Sequence, residues 1–541
     1  MHKLRDELFK SFGTDFQSSF SSHGSLAFNL PLTFPLDREE TTIYEDFFFR
    51  LKDDFGFIML LDLTLETDGS KKSLVYQFLN LEVYFRLQVR VDIGEGQFFA
   101  SLASLYPSAQ AFEEDICQHE DIYISNGLKS QQRVLLAQGK KKVKIKELPK
   151  YELPLRPESE ASEKKWQRFG PYESPFKGKA RADFLHGNGK VFDIEMERGL
   201  HFRNFEKQTL KKDFFHLTFL FERLSLKDCV FAPLLWVETM EERLKIEVPD
   251  KARALRMVWM ELARSENHLL FLWELTHDLG FFAEASVFAE LLEQIYHLYN
   301  LYAGKTQNFP LFNFGGMVKA APLGWGTETL EAAKYIFKVL EDVDGELHRN
   351  SRWMKETQDF PMSATTAIEL GITGPNLRAC GVNFDSRKSR PRYFYDDVEF
   401  EVPLGIDGTT YDRFLVRLHE LKQSLRIINQ VLDHLPAGDY LNKNHVLYNP
   451  LLEKRGVDFE NGFSGAQEAF RKEESFTMVE SSEGQLGLYL KTDESGLKHL
   501  HIRSSSLVHF YSYPTLVRGG SINGALTAFQ SLNIDPWEMD R

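Results

Sequence analysis

GITGPNLRACGVNFDSRKSRPRYFYDDVEFEVPLGIDGTTYDRFLVRLHELKQSL, Gly371 to Leu425, holds too many glycines, prolines and arginines to be ordinary core. From Tyr411 it turns into YDRFLVRLHELKQSLRIINQVLDHL, a long helical pattern. Two patterns of the same kind lie upstream, FFAEASVFAELLEQIYHLYNLYAG from Phe281 and LEAAKYIFKVLEDVDGELHRNSRWM from Leu330. Another helix opens at Pro249 and Asp250, where a missing N–H costs nothing and a carboxylate meets the helix dipole. Leu255, Val258, Trp259, Leu262, Leu269 and Leu272 follow at helical spacing, and Gly280 is the expected stop. The aromatic stripes on these helices read as core rather than as a cofactor box.

Further out, the period changes. KARADFLHGNGKVFDIEME, Lys179 to Glu197, is a hairpin of two alternating runs around a Gly-Asn-Gly turn that supplies positive φ cheaply. Before it, Lys140 to Pro175 is rich in Pro, Glu, Ser and Lys and reads as a linker or extended strap. Nearer the start, FIMLLDLTLE, LVYQFLNLEVYFRLQVRVDI and FFASL alternate with period two, preceded by a helix at Thr42 to Asp53, which reads as a small α/β domain. The last stretch returns to short runs and glycines.

With 541 residues the chain is expected to fold as two or three domains. A formal charge of −14 argues against a nucleic-acid surface. The basic run GKKKVKIK, Gly139 to Lys146, reads either as a solvated strand or linker, or as a contact for anionic lipid head groups or an acidic partner. Cys117, Cys229 and Cys380 are too scattered for a zinc ribbon, a cysteine-held cluster or a disulfide framework. The start has no signal-like apolar segment, and no window of about 20 residues is free of charge, so a cytoplasmic, reduced setting is expected.

RLSLKD, Arg223 to Asp228, sets a guanidinium beside a hydroxyl three positions from a carboxylate. By itself it reads as a solvated helix start capped by Ser225. The wider context changes the question. Gly371 to Leu425 resembles the D-type component of complex I, the respiratory NADH–quinone oxidoreductase, and the related large subunits of membrane-bound nickel–iron hydrogenases. Those families share its GxTGxxLRASG and VPLGxxGDxxDRxLVR stretches and a C-terminal DP…DR, here NIDPWEMDR. GLHFRNFEK, RALRMVWMELARSENHLLFL and FNFGGM resemble further family motifs in the same order, so the resemblance covers residues 168 to 541. DDFGFIMLLDLT, FRLQVRVDI and SLASLYPSAQAFEED resemble the C-type component, with Glu113, Glu114 and Asp115 where ERE is usual and the GHPxLRRIL tail missing.

The resemblance implies a multidomain α+β chain. Residues 1–139 form a C-type α/β domain, 140–167 a linker, and 168–541 a large, mainly helical D-type domain with a β-hairpin sheet at its start. It implies a peripheral-arm subunit of a complex I-like, ion-translocating redox complex, on the cytoplasmic side of the inner membrane. Its partners would be a B-type iron–sulfur subunit, an I-type ferredoxin-like subunit and an H-type membrane subunit, without nucleic acid. Nickel–iron enzymes hold their metal with thiolates where Ser225 and Asp228 stand here, and Pro536 is followed by Trp537, Glu538 and Met539 instead of the second thiolate pair. No metal and no cluster of its own are therefore expected, because a soft-ligand cage is missing.

In complex I-like relatives a tyrosine and a histidine donate to the quinone head group. Leu226 and Lys177 stand in those places, so the acceptor-pocket candidates are Lys177, Leu226 and Asp228, with quinone at an interface and a 4Fe-4S cluster in the partner. Arg223 keeps the place of an arginine facing that cluster, and Asn308 replaces a cluster-facing histidine. Three expectations follow. Phe176 to Lys179 and Leu226 should line one cavity. Arg223 should sit at an interface with no carboxylate partner other than Asp228. The chain should act either as a redox subunit with a remodelled acceptor pocket or as a scaffold that binds no quinone.

Overall fold

The computed structural model describes residues 7–8, 11–12, 17–20, 26–34, 38–68, 71–94, 98–120, 122–125, 134–136, 164–212, 214–445, 447, 473–493 and 496–541. Alternating sequence in the first 100 residues yields β1 (Gln17–Phe20), β2 (Leu26–Phe34), β3 (Met59–Asp68), β4 (Lys71–Asn80) and β5 (Phe85–Ile93), with helix α1 (Arg38–Asp53) between β2 and β3. They form one sheet in the order β1-β2-β5-β4-β3, with β2 and β5 parallel. Helix α2 (Ala109–His119) follows. The alternation in β3 is not apolar-in, polar-out. Asp62, Thr64 and Glu66 are all buried, facing the C-terminal sheet through His501, His499 and Lys491.

A second sheet holds the hairpin. Its strands are β6 (Val134–Leu136), β7 (Lys165–Phe169), β8 (Arg181–Gly187) and β9 (Lys190–Arg198), in the order β6-β9-β8-β7. Asn188 (φ 52°) and Gly189 (φ 75°) form the turn, both with the positive φ that a two-residue hairpin of matching twist demands. β6, from the first 139 residues, pairs in parallel with β9, and β7 begins inside the expected linker. Residues 137–163, with the whole GKKKVKIK run, lie outside the described residues.

The helical patterns become α3 (Phe231–Leu244), α4 (Asp250–Asp278), α5 (Phe282–Ala303), α6 (Trp325–Arg349) and α7 (Thr410–Asp433). Pro249 is the N-cap of α4, and Gly280 (φ 78°) sits just past its end. The pattern read as one helix through Met354 breaks at Asn350, whose side chain accepts from the N–H groups of Arg352 and Trp353 and starts a new turn. Thr409 and Asp412 close a reciprocal capping box at the start of α7. A three-stranded antiparallel sheet, β10 (Glu473–Glu480), β11 (Gln485–Asp493) and β12 (Gly496–Arg503), precedes α8 (Ser505–Val517) and α9 (Ile522–Ser531). Among the described residues no helix is long and apolar enough to cross a membrane.

One apolar core joins α3 to α7 with the C-terminal sheet. A second joins α1 and β2–β5 with the hairpin, α8 and α9. Residues before 139 and after 360 thus share a core.

The polar segment that opened the sequence lies inside the helical body. Arg378 is fully buried and donates from Nε to Glu420 (2.5 Å) and from Nη1 to Glu480 (2.8 Å) and the Phe384 carbonyl (3.0 Å). Arg387 pairs with Asp385 (2.7 Å) and with Glu261 of α4 (3.2 Å). Each guanidinium is matched by carboxylates, as burial of charge requires. The arginines of this stretch therefore tie α4, α7 and β10 together.

Candidate functional site

Arg223 to Asp228 forms an irregular turn, not a helix start, and it is built around one carboxylate from the far end of the chain. Asp535 Oδ2 accepts from Ser225 Oγ (2.8 Å), Leu226 N (2.8 Å) and Lys227 N (3.0 Å). Its Oδ1 accepts from Trp537 N (2.7 Å) and Glu538 N (3.0 Å). Ser225 is spent on this clamp and does not cap α3. That work falls to Asp228, whose Oδ1 accepts from Val230 N (2.6 Å) and Phe231 N (3.3 Å). Arg203 holds the turn from outside, donating to the carbonyls of Arg223 (2.7 Å) and Leu224 (3.2 Å) while lying over the Trp537 ring.

The hairpin's preceding loop meets this turn at α4. Lys179 Nζ and Lys227 Nζ lie 3.5 and 3.7 Å from the same Glu274 Oε2. From there a hydrogen-bonded chain runs inward. Lys227 Nζ donates to Asn533 Oδ1, Asn533 Nδ2 to Asn267 Oδ1 (2.7 Å), and Asn267 Nδ2 to Glu483 Oε1 (3.2 Å). Ser506 Oγ donates to the other Glu483 oxygen (3.1 Å).

Several carboxyls here are buried with no cation, or only a distant one, to match them, and burial disfavours their charged form. It pushes Asp228 up to about 7, helped by Glu538 and Asp535, and Glu266 up to about 8. Burial likewise raises Glu222 to about 7 against the pull of Arg223. These groups hold or release protons near neutral pH.

The profile described as respiratory-chain NADH dehydrogenase, 49 Kd subunit, matches residues 278–541. The fused C/D chain of the NADH-quinone oxidoreductase of Bdellovibrio bacteriovorus is 28% identical over 520 residues, covering 91% of this chain and 92% of that protein. The C/D chain of the same enzyme from Nitrosospira multiformis is 27% identical over 540 residues, covering 91% and 88%. Over most of its length the chain is similar to NADH-quinone oxidoreductase C/D chains. The separate D-type chain of Flavobacterium johnsoniae, 29% identical over 403 residues, covers 71% of this chain and 95% of its own length, so the D-like part is matched by itself as well.

Each residue singled out from sequence has a definite place in the fold. Lys177 is 62% exposed and stands 4.0 Å from Asp278, one helical turn along α4 from Glu274. Leu226 is 47% exposed. The loop and the turn do come together, but through Lys179 and Lys227 rather than Lys177 and Leu226. Arg223 is half exposed; it donates to the Phe219 carbonyl (2.8 Å) and its nearest carboxylate is Glu222 (3.9 Å), not Asp228. Asn308 (φ 51°) directs its backbone N–H at the Cys229 sulfur, beside the same turn.

The side chains at Leu226 and Lys177 do not suit a quinone head group: Leu226 offers no donor, and the Lys177 ammonium faces Asp278. Nor does the turn suit nickel: Ser225 and Asp228 are committed to backbone N–H groups. Among the described residues no group of three or more His, Cys, Asp or Glu is placed to hold a metal. Asp535 lies in the NIDPWEMDR motif, Lys179 in the Phe176–Lys179 loop and Lys227 in RLSLKD, but nothing in the sequence pairs them with one another or with Glu274. Lys227 sits within RLSLKD itself, but its partners lie about 50 and 300 residues away, where no local pattern points.

Proposed function

We propose that this chain is a peripheral-arm subunit of a complex I-like redox assembly, forming one wall of an electron-acceptor pocket beside a partner subunit's 4Fe-4S cluster, at the membrane's cytoplasmic face. The family relation supports the assembly. The observation that carries the pocket is the turn Arg223–Asp228: it presents an exposed guanidinium outward and backs it with buried carboxyls, Asp228 and Glu222, raised to about 7. A fixed cation near a cluster raises its potential, and nearby protonated carboxyls supply protons to a reduced acceptor. A B-type cluster subunit, an I-type ferredoxin-like subunit and an H-type membrane subunit are the partners this reading requires.

A second reading, a scaffold that docks the partners without an acceptor, is favoured by Lys177 and Leu226, neither of which donates into an enclosed pocket. One experiment separates the two. The tagged chain is purified with its partners from native membranes, and NADH-driven electron transfer and the cluster's redox potential are compared with those of Arg223→Ala. The redox reading expects an intact assembly, a lowered cluster potential and slowed electron transfer. Unchanged transfer per assembled complex supports the scaffold. A chain that purifies without any iron–sulfur subunit sinks both. Folding is not at stake, since an exposed arginine bonded to a carbonyl contributes about 1 kcal/mol or less.

A further inference from the structure

A cavity remote from the Asp535 clamp carries positive charge that no carboxylate among the described residues is bonded to. It lies where the β4–β5 connection meets β10 and the segment after Arg387, and it is lined by Tyr84, Arg86, Phe384, Arg390, Arg392 and Met478 among others. Its volume is about 80 Å³. Arg86, on β5 opposite Leu79, is only 8% exposed, and its guanidinium lies 5.5 Å from the centre of the Phe476 ring. Its Nε has no hydrogen-bond acceptor. Among the described residues the one carboxylate influencing either Arg86 or Arg390 is Glu242, which bonds to neither.

The other charges of this cavity are already committed. Glu238 accepts from Arg392 (2.7 Å) and Tyr393, Glu480 from Arg378 (2.8 Å) and Ser386 Oγ (2.8 Å), and Arg387 is matched by Asp385 and Glu261. Two guanidiniums remain in surplus, in a chain whose overall charge is −14. Burial, with Arg390 and Arg392 adding repulsion, pulls Arg86 down to about 9. A buried cation left so is costly unless an anion joins it.

We propose that this cavity is a binding site for a small phosphate-sized oxyanion, held between the Arg86 and Arg390 guanidiniums. The planar fork of arginine matches the oxygens of a tetrahedral anion two at a time. At about 80 Å³ the space is far below the roughly 300–1,000 Å³ of a drug-sized ligand site. It admits a phosphate group and excludes a nucleoside. The stacked Tyr84 and Phe384 rings, 5.7 Å apart, make part of its wall and turn an apolar face to the non-ionic side of such a ligand.

The test is calorimetric titration of the purified full-length chain with inorganic phosphate at low ionic strength. The wild type should bind one phosphate saturably. Arg390→Gln, at a partly exposed position, should weaken binding about tenfold or more, as loss of a charged hydrogen bond does. Arg86→Gln should abolish it, and Arg426→Gln, on the surface beside Glu399, should leave it unchanged. Should Arg86→Gln fail to fold, Arg390→Gln alone carries the comparison. Glycerol 3-phosphate binding more tightly than phosphate identifies a phosphomonoester as the source, whereas equal or weaker binding identifies the free ion. Absence of saturable binding, an affinity unaltered by Arg390→Gln, or a preference for acetate over phosphate overturns the proposal.

Discussion

Asp228 is where pH acts most directly on the turn. Its carboxyl is raised to about 7 in the fold, against about 3.9 in an unfolded chain, so the stability it lends is full below 3.9 and is lost as pH rises through 7. Asp228→Asn keeps an oxygen for the Val230 and Phe231 N–H groups but never ionises. The variant should melt at nearly the wild-type temperature at pH 4 and well above it at pH 8.5, a gain of up to about 4 kcal/mol. Equal shifts at both pH values would show that the carboxyl is not buried as described. Glu274 has the opposite sense. Burial alone would raise it, but Lys227 and Lys179 outweigh that and hold it at about 2, so its contribution is present at neutral pH and fades as pH falls toward 2. Glu274→Gln leaves two buried ammonium groups short of a counter-ion, and urea unfolding at pH 7 should register a loss of about 1–3 kcal/mol.

Among elements, the Gly374 turn shows what side-chain pattern alone conceals. Gly374 (φ 69°) lies so close to the β10–β11 turn that an added Cβ would meet the Gly484 Cα at 2.3 Å. Gly374→Ala should therefore displace that turn and lower the melting temperature by several degrees or prevent folding, while Gly189→Ala, where no atom lies within 4 Å, should bring only the milder cost of a positive φ. The long helices were legible because their apolar period runs unbroken for several turns and their ends carry Pro249, Gly280 and Gly304. The stop at Asn350 was hidden within a continuing pattern, because a capping side chain outweighed it. β3 misled in a different way: its period was right, but the polar face was covered by a sheet from the far end of the chain. For the same reason the clamp on Arg223–Asp228, built by Asp535 about 300 residues away, has no local signal around the turn itself.

At the scale of the whole molecule, the first and last thirds are joined by charge as well as by apolar contact. Arg541 donates to Glu206 (2.9 Å) and Asp115 (3.2 Å), Arg198 also binds Asp115, and His501 bridges Asp62 (3.2 Å) and Glu206 (3.3 Å). All of these residues except Glu206 and Asp115 are buried. Arg541→Ala should leave two carboxylates short of a cation, cost about 3 kcal/mol, and expose the α2 region to limited proteolysis before the helical body yields. Unchanged protection of α2 would show that apolar packing alone joins the two parts. The shared core also has a consequence in time. Its earliest strands, β2 to β5, are finished by α8 and α9, the last helices of ten residues or more. A ribosome adding roughly 5–20 residues per second therefore leaves those strands uncovered for on the order of a minute, so holdase chaperones have their clearest target in nascent β2–β5, and the first strands made are the last to be closed in.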